Sequence, residues 1–209
     1  MIATLQRERL VPVVVIDDAS SAVDLGRAVA AGGLSTVEVT FRTAAAGAAI
    51  KALAAETGLL VGAGTVLTPA QVDQAVEAGA RFIVSPGFSA AVVRHCRSLQ
   101  IPVLPGVATP TDVMAALDEG LDVVKFFPAE SYGGAATLKA LAGPFRSVRF
   151  VPTGGVTAAL LPAYLALPSV LAVGGSWMVA PNLVAARDWA AVTELTAAAV
   201  ALVQEAAHA

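Results

Sequence analysis

The chain repeats one local pattern eight times: a short apolar run rich in β-favouring residues, followed by an Ala-rich stretch with helical spacing. The pattern predicts strands over Leu10–Ile16, Ser35–Thr40, Leu59–Thr65, Arg81–Ser85, Ile101–Val107, Leu121–Phe127, Arg149–Thr153 and Val170–Gly174. Alternation of strands with helices implies parallel strands, and continuous apolar runs imply strands covered on both faces. Eight units in 209 residues average about 26 residues each, near the minimum for a barrel of about 200 residues or more. The expected architecture is therefore α/β, a (β/α)8 TIM barrel, with residues 1–209 as a single domain. An open doubly wound sheet is the runner-up, but it usually needs fewer strands, and no Gly-x-Gly-x-x-Gly fingerprint follows the first strand. Helix stops are expected at Gly32-Gly33, Gly58, Gly79 and Gly120, and helix starts at Thr68-Pro69 and Thr109-Pro110.

Composition narrows the function classes. The chain is 56% hydrophobic with mean hydropathy +0.74, but no uninterrupted apolar run reaches the roughly 18 residues of a membrane helix. Ala carries the excess, so buried helices are expected and no membrane partner. The net charge is −3 with no basic tract, which argues against nucleic acid. Residues Met1 to Leu10 carry Arg7, Glu8 and Arg9 and lack a signal-peptide core. The one cysteine, Cys96, excludes an intrachain disulfide framework and fits a reducing compartment, so the expected location is cytoplasmic.

The chain has ten Arg but three Lys, Lys51, Lys125 and Lys139. Lys51 and Lys139 sit in amphipathic helical stretches. Lys125 interrupts an apolar strand, Val123-Val124-Lys125-Phe126-Phe127-Pro128. Desolvation favours the neutral amine, and a neutral amine can attack a ketone to form a Schiff base. Val123, Lys125 and Phe127 share a strand face, so an inward face carries Lys125 toward the catalytic end. The alternative is a snorkelling or ion-paired lysine at a strand edge.

Other motifs add to this. In strand two, Thr36, Glu38, Thr40 and Arg42 share one face, and Val37, Val39 and Phe41 the other. The apolar face belongs under the helices, so the polar face points inward, where a carboxylate is costly unless paired or functional. A mutual Glu38–Arg42 ion pair is the structural alternative. Strand three ends Gly62-Ala63-Gly64-Thr65, where glycines permit close approach of backbone or ligand, or simply turn the chain. Thr153-Gly154-Gly155 and Gly174-Gly175-Ser176 follow strands seven and eight, where barrels bind phosphate on backbone N–H groups. Asp17 and Asp18 end strand one and serve equally well as helix caps. His95 and Cys96 lie in a helical stretch, Trp177 and Trp189 suit packing, and His208 lies near the C-terminus. No His, Cys and carboxylate cluster has metal-ligand spacing.

These segments occur in order with Val37-Glu38-Val39-Thr40-Phe41-Arg42-Thr43, Gly62-Ala63-Gly64-Thr65-Val66, Ser85-Pro86-Gly87, Pro105-Gly106-Val107-Ala108-Thr109-Pro110-Thr111, Lys125-Phe126-Phe127-Pro128-Ala129-Glu130 and Pro152-Thr153-Gly154-Gly155-Val156. Together they resemble the class I 2-keto-3-deoxy-6-phosphogluconate (KDPG) and 4-hydroxy-2-oxoglutarate (KHG) aldolases over nearly the whole chain. The resemblance implies that Lys125 forms the Schiff base and that Glu38 shuttles protons. It implies that Arg42 and Thr65 bind the pyruvate carboxylate and that Pro86 and Phe127 flank the substrate. Thr153, Gly154, Gly155, Gly175 and Ser176 would hold a distal phosphate. It also implies a homotrimer with no metal and no cofactor, acting on a small keto-acid sugar phosphate. The expected reaction is cleavage of 2-keto-3-deoxy-6-phosphogluconate to pyruvate and glyceraldehyde 3-phosphate. Within the class, the galactonate epimer or 4-hydroxy-2-oxoglutarate are alternative substrates. From another class, a phosphosugar isomerase or a non-catalytic binding barrel suits the fold but leaves the strand-six lysine unexplained.

Overall fold

A computed structural model describes residues 1–208, with side chains through Ala207; the His208 side chain therefore lies outside the described residues. A short helix, α1 (Ile2–Glu8), leads into parallel strands β1 (Leu10–Val14), β2 (Thr36–Thr40), β3 (Leu60–Gly64), β4 (Phe82–Val84), β5 (Val103–Leu104), β6 (Gly106–Val107), β7 (Val123–Phe126), β8 (Arg149–Pro152) and β9 (Val173–Gly175). The helices between and after them are α2 (Ala22–Ala31), α3 (Ala46–Glu56), α4 (Pro69–Glu77), α5 (Ala90–Ser98), α6 (Pro110–Asp118), α7 (Gly134–Ala142), α8 (Leu161–Leu165), α9 (Pro181–Ala186) and α10 (Trp189–His208). Strands pair in the order β5-β4-β3-β2-β1-β9 in one sheet and β6-β7-β8 in the other. Single bridges, Phe150 with Val170 and Thr153 with Gly174, connect β8 to the segment of β9.

The fifth predicted strand, Ile101–Val107, is two pieces. Pro105 separates them, because proline brings no N–H to a ladder. The first piece pairs with β4 and the second with β7. The Pro105 carbonyl still accepts from Lys125 N at 2.9 Å, so the break is confined to one residue. Local chemistry sets the helix ends. Thr68 accepts from Gln71 N before Pro69, and Thr109 forms a capping box with Asp112 before Pro110. Gly33, Gly58, Gly79 and Gly120 follow helices with φ between 69° and 98°, the left-handed turn that glycine adopts without strain.

Strand parity sorts the buried side chains into two clusters. Val37, Val39, Val124, Phe126, Ile83 and Phe150 point outward into the core beneath the helices. Val11, Phe82, Val84, Leu104, Val123 and Val151 point inward, with Leu5 of α1 among them. Gly62 makes room for the Phe82 ring, which occupies the place a side chain at Gly62 would take. The interior is thus filled by aliphatic and aromatic side chains near the strands' amino ends, and α1 brings Leu5, fully buried, against them. Leu5 is the one buried residue of α1, and its contact with the inner cluster explains the helix.

Residues Trp189–Ala207 are long and apolar enough, by length and composition, to cross a membrane. Their buried positions Val192, Thr196, Ala199 and Val203 recur at helical spacing, one stripe facing a neighbour. Thr193 Oγ1 donates to Ala28 O of α2 at 3.1 Å, and Thr196 packs over Gly32. Cys96 on α5 is buried, which pushes its thiol up to about 11; it is a packing residue, and His95 beside it pairs with Asp73 on α4 at 2.6 Å.

Replacing Leu5 by Ala removes the side chain that seals the inner cluster. The expected cost is about 2–5 kcal/mol of unfolding free energy, measured by urea denaturation; a loss below about 1 kcal/mol would show that α1 does not close the interior.

Candidate active site

Glu38 comes from the middle of β2 and Lys125 from β7, in the other sheet. The register places Glu38 beside Val13 and Gly62, and Lys125 beside Gly106 and Val151. Both side chains point inward by the same parity that places Val11 and Val123 there. Lys125 Nζ lies 3.3 Å from Glu38 Oε1, with the two side chains 7% and 5% exposed. At that burial the charges have lost most of their hydration, and each needs the other. Glu38 therefore pairs with Lys125. The alternative of a Glu38–Arg42 ion pair is not what forms, because Arg42 lies past the end of β2, exposed at the rim. Among the described residues Arg42 makes no hydrogen bond or ion pair.

Gly64 explains why the carboxylate fits. A side chain at Gly64 would occupy the position of Glu38 Oε1. The other inward polar groups of β2 are tied to neighbouring backbone. Thr36 Oγ1 donates to Leu60 O at 3.0 Å and Thr40 Oγ1 to Val14 O at 3.1 Å. Glu38 is thus the one polar side chain of β2 committed to another side chain. Thr65, immediately after Gly64, holds φ +57°, a left-handed conformation that a β-branched residue adopts only under constraint.

A cavity of about 210 Å³ opens at the strands' carboxyl ends, and neither Lys125 nor Glu38 lines it. Its lining brings together Arg42, Phe127, Thr153, Gly154, Gly155, Gly175 and Ser176 from the predicted set, with Val13, Val15 and Thr40. Phe127 connects the two regions, since Lys125 Nζ sits 5.2 Å from its ring centroid, within cation–π range. Thr65 and Pro86 do not line this cavity. Pro86 sits after β4, with its carbonyl filling the space beside Gly106. Val13 and Val15 went unmentioned in the sequence reading, although strand-one parity with the inward Val11 signals them.

The two glycine pairs are held open by their surroundings. Gly154 and Gly155 have φ of +102° and +80°, where L side chains are strained. A side chain at Gly174 would meet Thr153, and one at Gly175 would meet the ring of Trp177. Trp177 is thus a packing residue that leaves only a glycine beneath it. Asp18 caps the turn Ala19–Ser21 by accepting from Ser20 N, and it pairs with Arg187 at 2.9 Å. Hydrogen bonds from Ser20 hold its carboxyl below the usual range. Among the described residues, no group of three or more His, Cys, Asp or Glu side chains converges as a metal site would.

Comparisons with known proteins identify the family. The family model "KDPG and KHG aldolase" matches residues 1–195. A 2-dehydro-3-deoxy-phosphogluconate aldolase of Treponema pallidum is 51% identical over 193 residues, 92% of each chain. The 2-keto-3-deoxy-6-phosphogluconate aldolase of Zymomonas mobilis, solved with 3-phosphoglycerate, superposes with a TM-score of 0.91 at 47% identity, covering 96% of this chain and 95% of that one. The KDPG aldolase of Legionella pneumophila, solved with pyruvate captured as a covalent carbinolamine, gives 0.91 at 40% identity, covering 95% and 97%. A family model matching residues 1–195 and a relative 51% identical over 92% of each chain place the protein in the KDPG and KHG aldolase family.

Proposed function

We propose that the protein is a Schiff-base aldolase that reversibly cleaves 2-keto-3-deoxy-6-phosphogluconate to pyruvate and glyceraldehyde 3-phosphate. The observation that carries the reading is the buried Lys125 amine 3.3 Å from Glu38, linked through Phe127 to a cavity lined in part by Gly154, Gly155, Gly174 and Gly175. Glu38 is placed to take the proton that Lys125 must lose before it attacks the ketone carbon. Glu38 gives that proton to the carbinolamine hydroxyl, which leaves as water and yields a protonated imine, an electron sink for cleavage of the C3–C4 bond, with Glu38 again a carboxylate. Glu38, directly or through a water, accepts the C4 hydroxyl proton as the aldehyde leaves, and a proton returns to C3 of the enamine. Hydrolysis of the imine frees pyruvate and the lysine.

In this reading Arg42, which has no partner within the described chain, holds the keto-acid carboxylate in a guanidinium fork. Thr65 assists from the end of β3, and Pro86 and Phe127 flank the substrate. Thr153, Gly154, Gly155, Gly175 and Ser176 hold the distal phosphate on backbone and hydroxyl donors. The strands form one closed (β/α)8 barrel, with Ile101–Val107 as a single strand interrupted at Pro105 and the bridges at Val170 and Gly174 closing β8 onto β9. The chain acts as one domain, as a cytoplasmic homotrimer; exposed apolar side chains such as Leu67 and Met114 are surfaces that a second copy would cover. The alternative substrates are the galactonate epimer and the unphosphorylated 4-hydroxy-2-oxoglutarate, which suit the same imine chemistry, though the latter would make no use of the glycine pairs.

Incubation with pyruvate and borohydride should leave a reduced pyruvyl adduct on Lys125, mapped by mass spectrometry, and Lys125→Ala should abolish both adduct and turnover while remaining folded. No adduct from folded wild type would remove the aldolase reading. Comparison of kcat/KM should favour the phosphorylated substrate; a preference for 4-hydroxy-2-oxoglutarate would overturn the phosphate assignment. Gly64→Ala, which pushes a methyl group into the Glu38 carboxylate, should lower kcat by about 100-fold through misplacement of the base, as measured by a coupled assay; unchanged kcat would separate Glu38 from proton transfer.

A further inference from the structure

Glu130 ends the Lys125–Glu130 motif, yet it does not line the cavity and has no place in the chemistry above. Its backbone and side chain instead grip the loop that does line it. Glu130 N donates to Gly154 O at 3.0 Å, and Ala129 N donates to Thr153 O at 2.8 Å. A side-chain carbon at Gly155 would lie 2.8 Å from Glu130 Cβ and 3.0 Å from Cγ, so the Glu130 methylenes already occupy the outer face of Gly155. The carboxylate is turned away from the cavity. Oε1 accepts a short hydrogen bond from the hydroxyl of Tyr164 on α8, and it lies against Gly134 at the start of α7, where a helix favours negative charge.

Tyr164 is 1% exposed. Burial first, then the Glu130 hydrogen bond and charge, raise its phenol well above the ordinary value of 10.0, so it remains a donor across the working range. A bare carboxylate beside a phosphate site would repel the ligand. Here its charge is drawn toward α7 and α8, while its methylenes brace the loop.

We propose that Glu130, pinned by Tyr164, is a positioning residue that holds Thr153-Gly154-Gly155 in the shape that binds the substrate's distal phosphate, and so sets the preference for phosphorylated keto acids. This rests on the aldolase reading above. The pair sits on the loop side of Lys125, so its loss affects phosphate recognition and leaves imine formation alone.

The test compares Glu130→Ala, Glu130→Gln and Tyr164→Phe with wild type, in steady-state cleavage of 2-keto-3-deoxy-6-phosphogluconate and in borohydride trapping with pyruvate. Glu130→Ala should raise KM roughly tenfold, the weight of about one hydrogen bond, with kcat within about twofold. Tyr164→Phe should raise KM in the same sense. Glu130→Gln, whose amide oxygen still accepts from Tyr164, should stay near wild type. Trapping with pyruvate, which carries no phosphate, should be unchanged in all three. Unchanged KM in Glu130→Ala, or an equal loss in pyruvate trapping, would overturn the proposal. If Glu130→Ala fails to fold, Tyr164→Phe decides, since it keeps the core filled. Failure of the underlying reading shows separately, as wild type that traps no pyruvate or discriminates against the phosphorylated substrate.

Discussion

A lysine and a glutamate facing each other in the interior, 3.3 Å apart, are the constraint around which the rest of the chain is arranged. Neither charge is tolerable there alone. Bringing two ions out of water costs several kcal/mol each, and their attraction returns this only when the geometry is held. The two side chains come from different sheets, so their meeting depends on the curvature that brings β2 and β7 to opposite sides of one interior. The pair is therefore weak as a source of stability, and under the proposed mechanism its worth is chemical, a base set against the amine that it would deprotonate.

The interior is divided along its axis to make this possible. At the strands' amino ends, Phe82, Val84, Leu104 and Val151 fill the space, sealed by Leu5. At the carboxyl ends the packing stops, and a cavity opens between loops. Glycine marks the boundary in two ways. Gly62 yields its place to the Phe82 ring below, and Gly64 yields its place to the Glu38 carboxylate above. One residue type thus makes room for an apolar ring at one level and for a buried carboxylate at the next, two positions along the same strand.

The loops around the cavity are built as a second tier. Trp177 stands over Gly175, and Glu130 over Gly155, each pressing a large side chain on a glycine that cannot carry one of its own. Tyr164 and the capping box at Thr109 and Asp112 anchor the helices behind the loops. Backbone N–H groups bind anions well only when their directions are held, and these contacts hold them.

Much of this was legible in the sequence, and the reason is periodicity. Alternation of apolar and polar residues in Thr36-Val37-Glu38-Val39-Thr40 assigned Glu38 to the inner face without reference to any other strand, because side-chain direction repeats every two residues. The apolar surroundings of Lys125 announced its burial in the same way, and the glycine and proline punctuation located the helix ends. Tertiary structure alone decided which charges met. Sequence spacing allowed Glu38 to pair with Arg42, four residues away, yet it pairs with Lys125, 87 residues away, because sheet curvature brings the latter close while the chain past β2 carries Arg42 out to the rim. The split at Pro105, the plug formed by α1, and the grip of Glu130 and Tyr164 on Gly155 are of the same kind. Each depends on which neighbour the fold places opposite a residue, and local pattern carries no information about that.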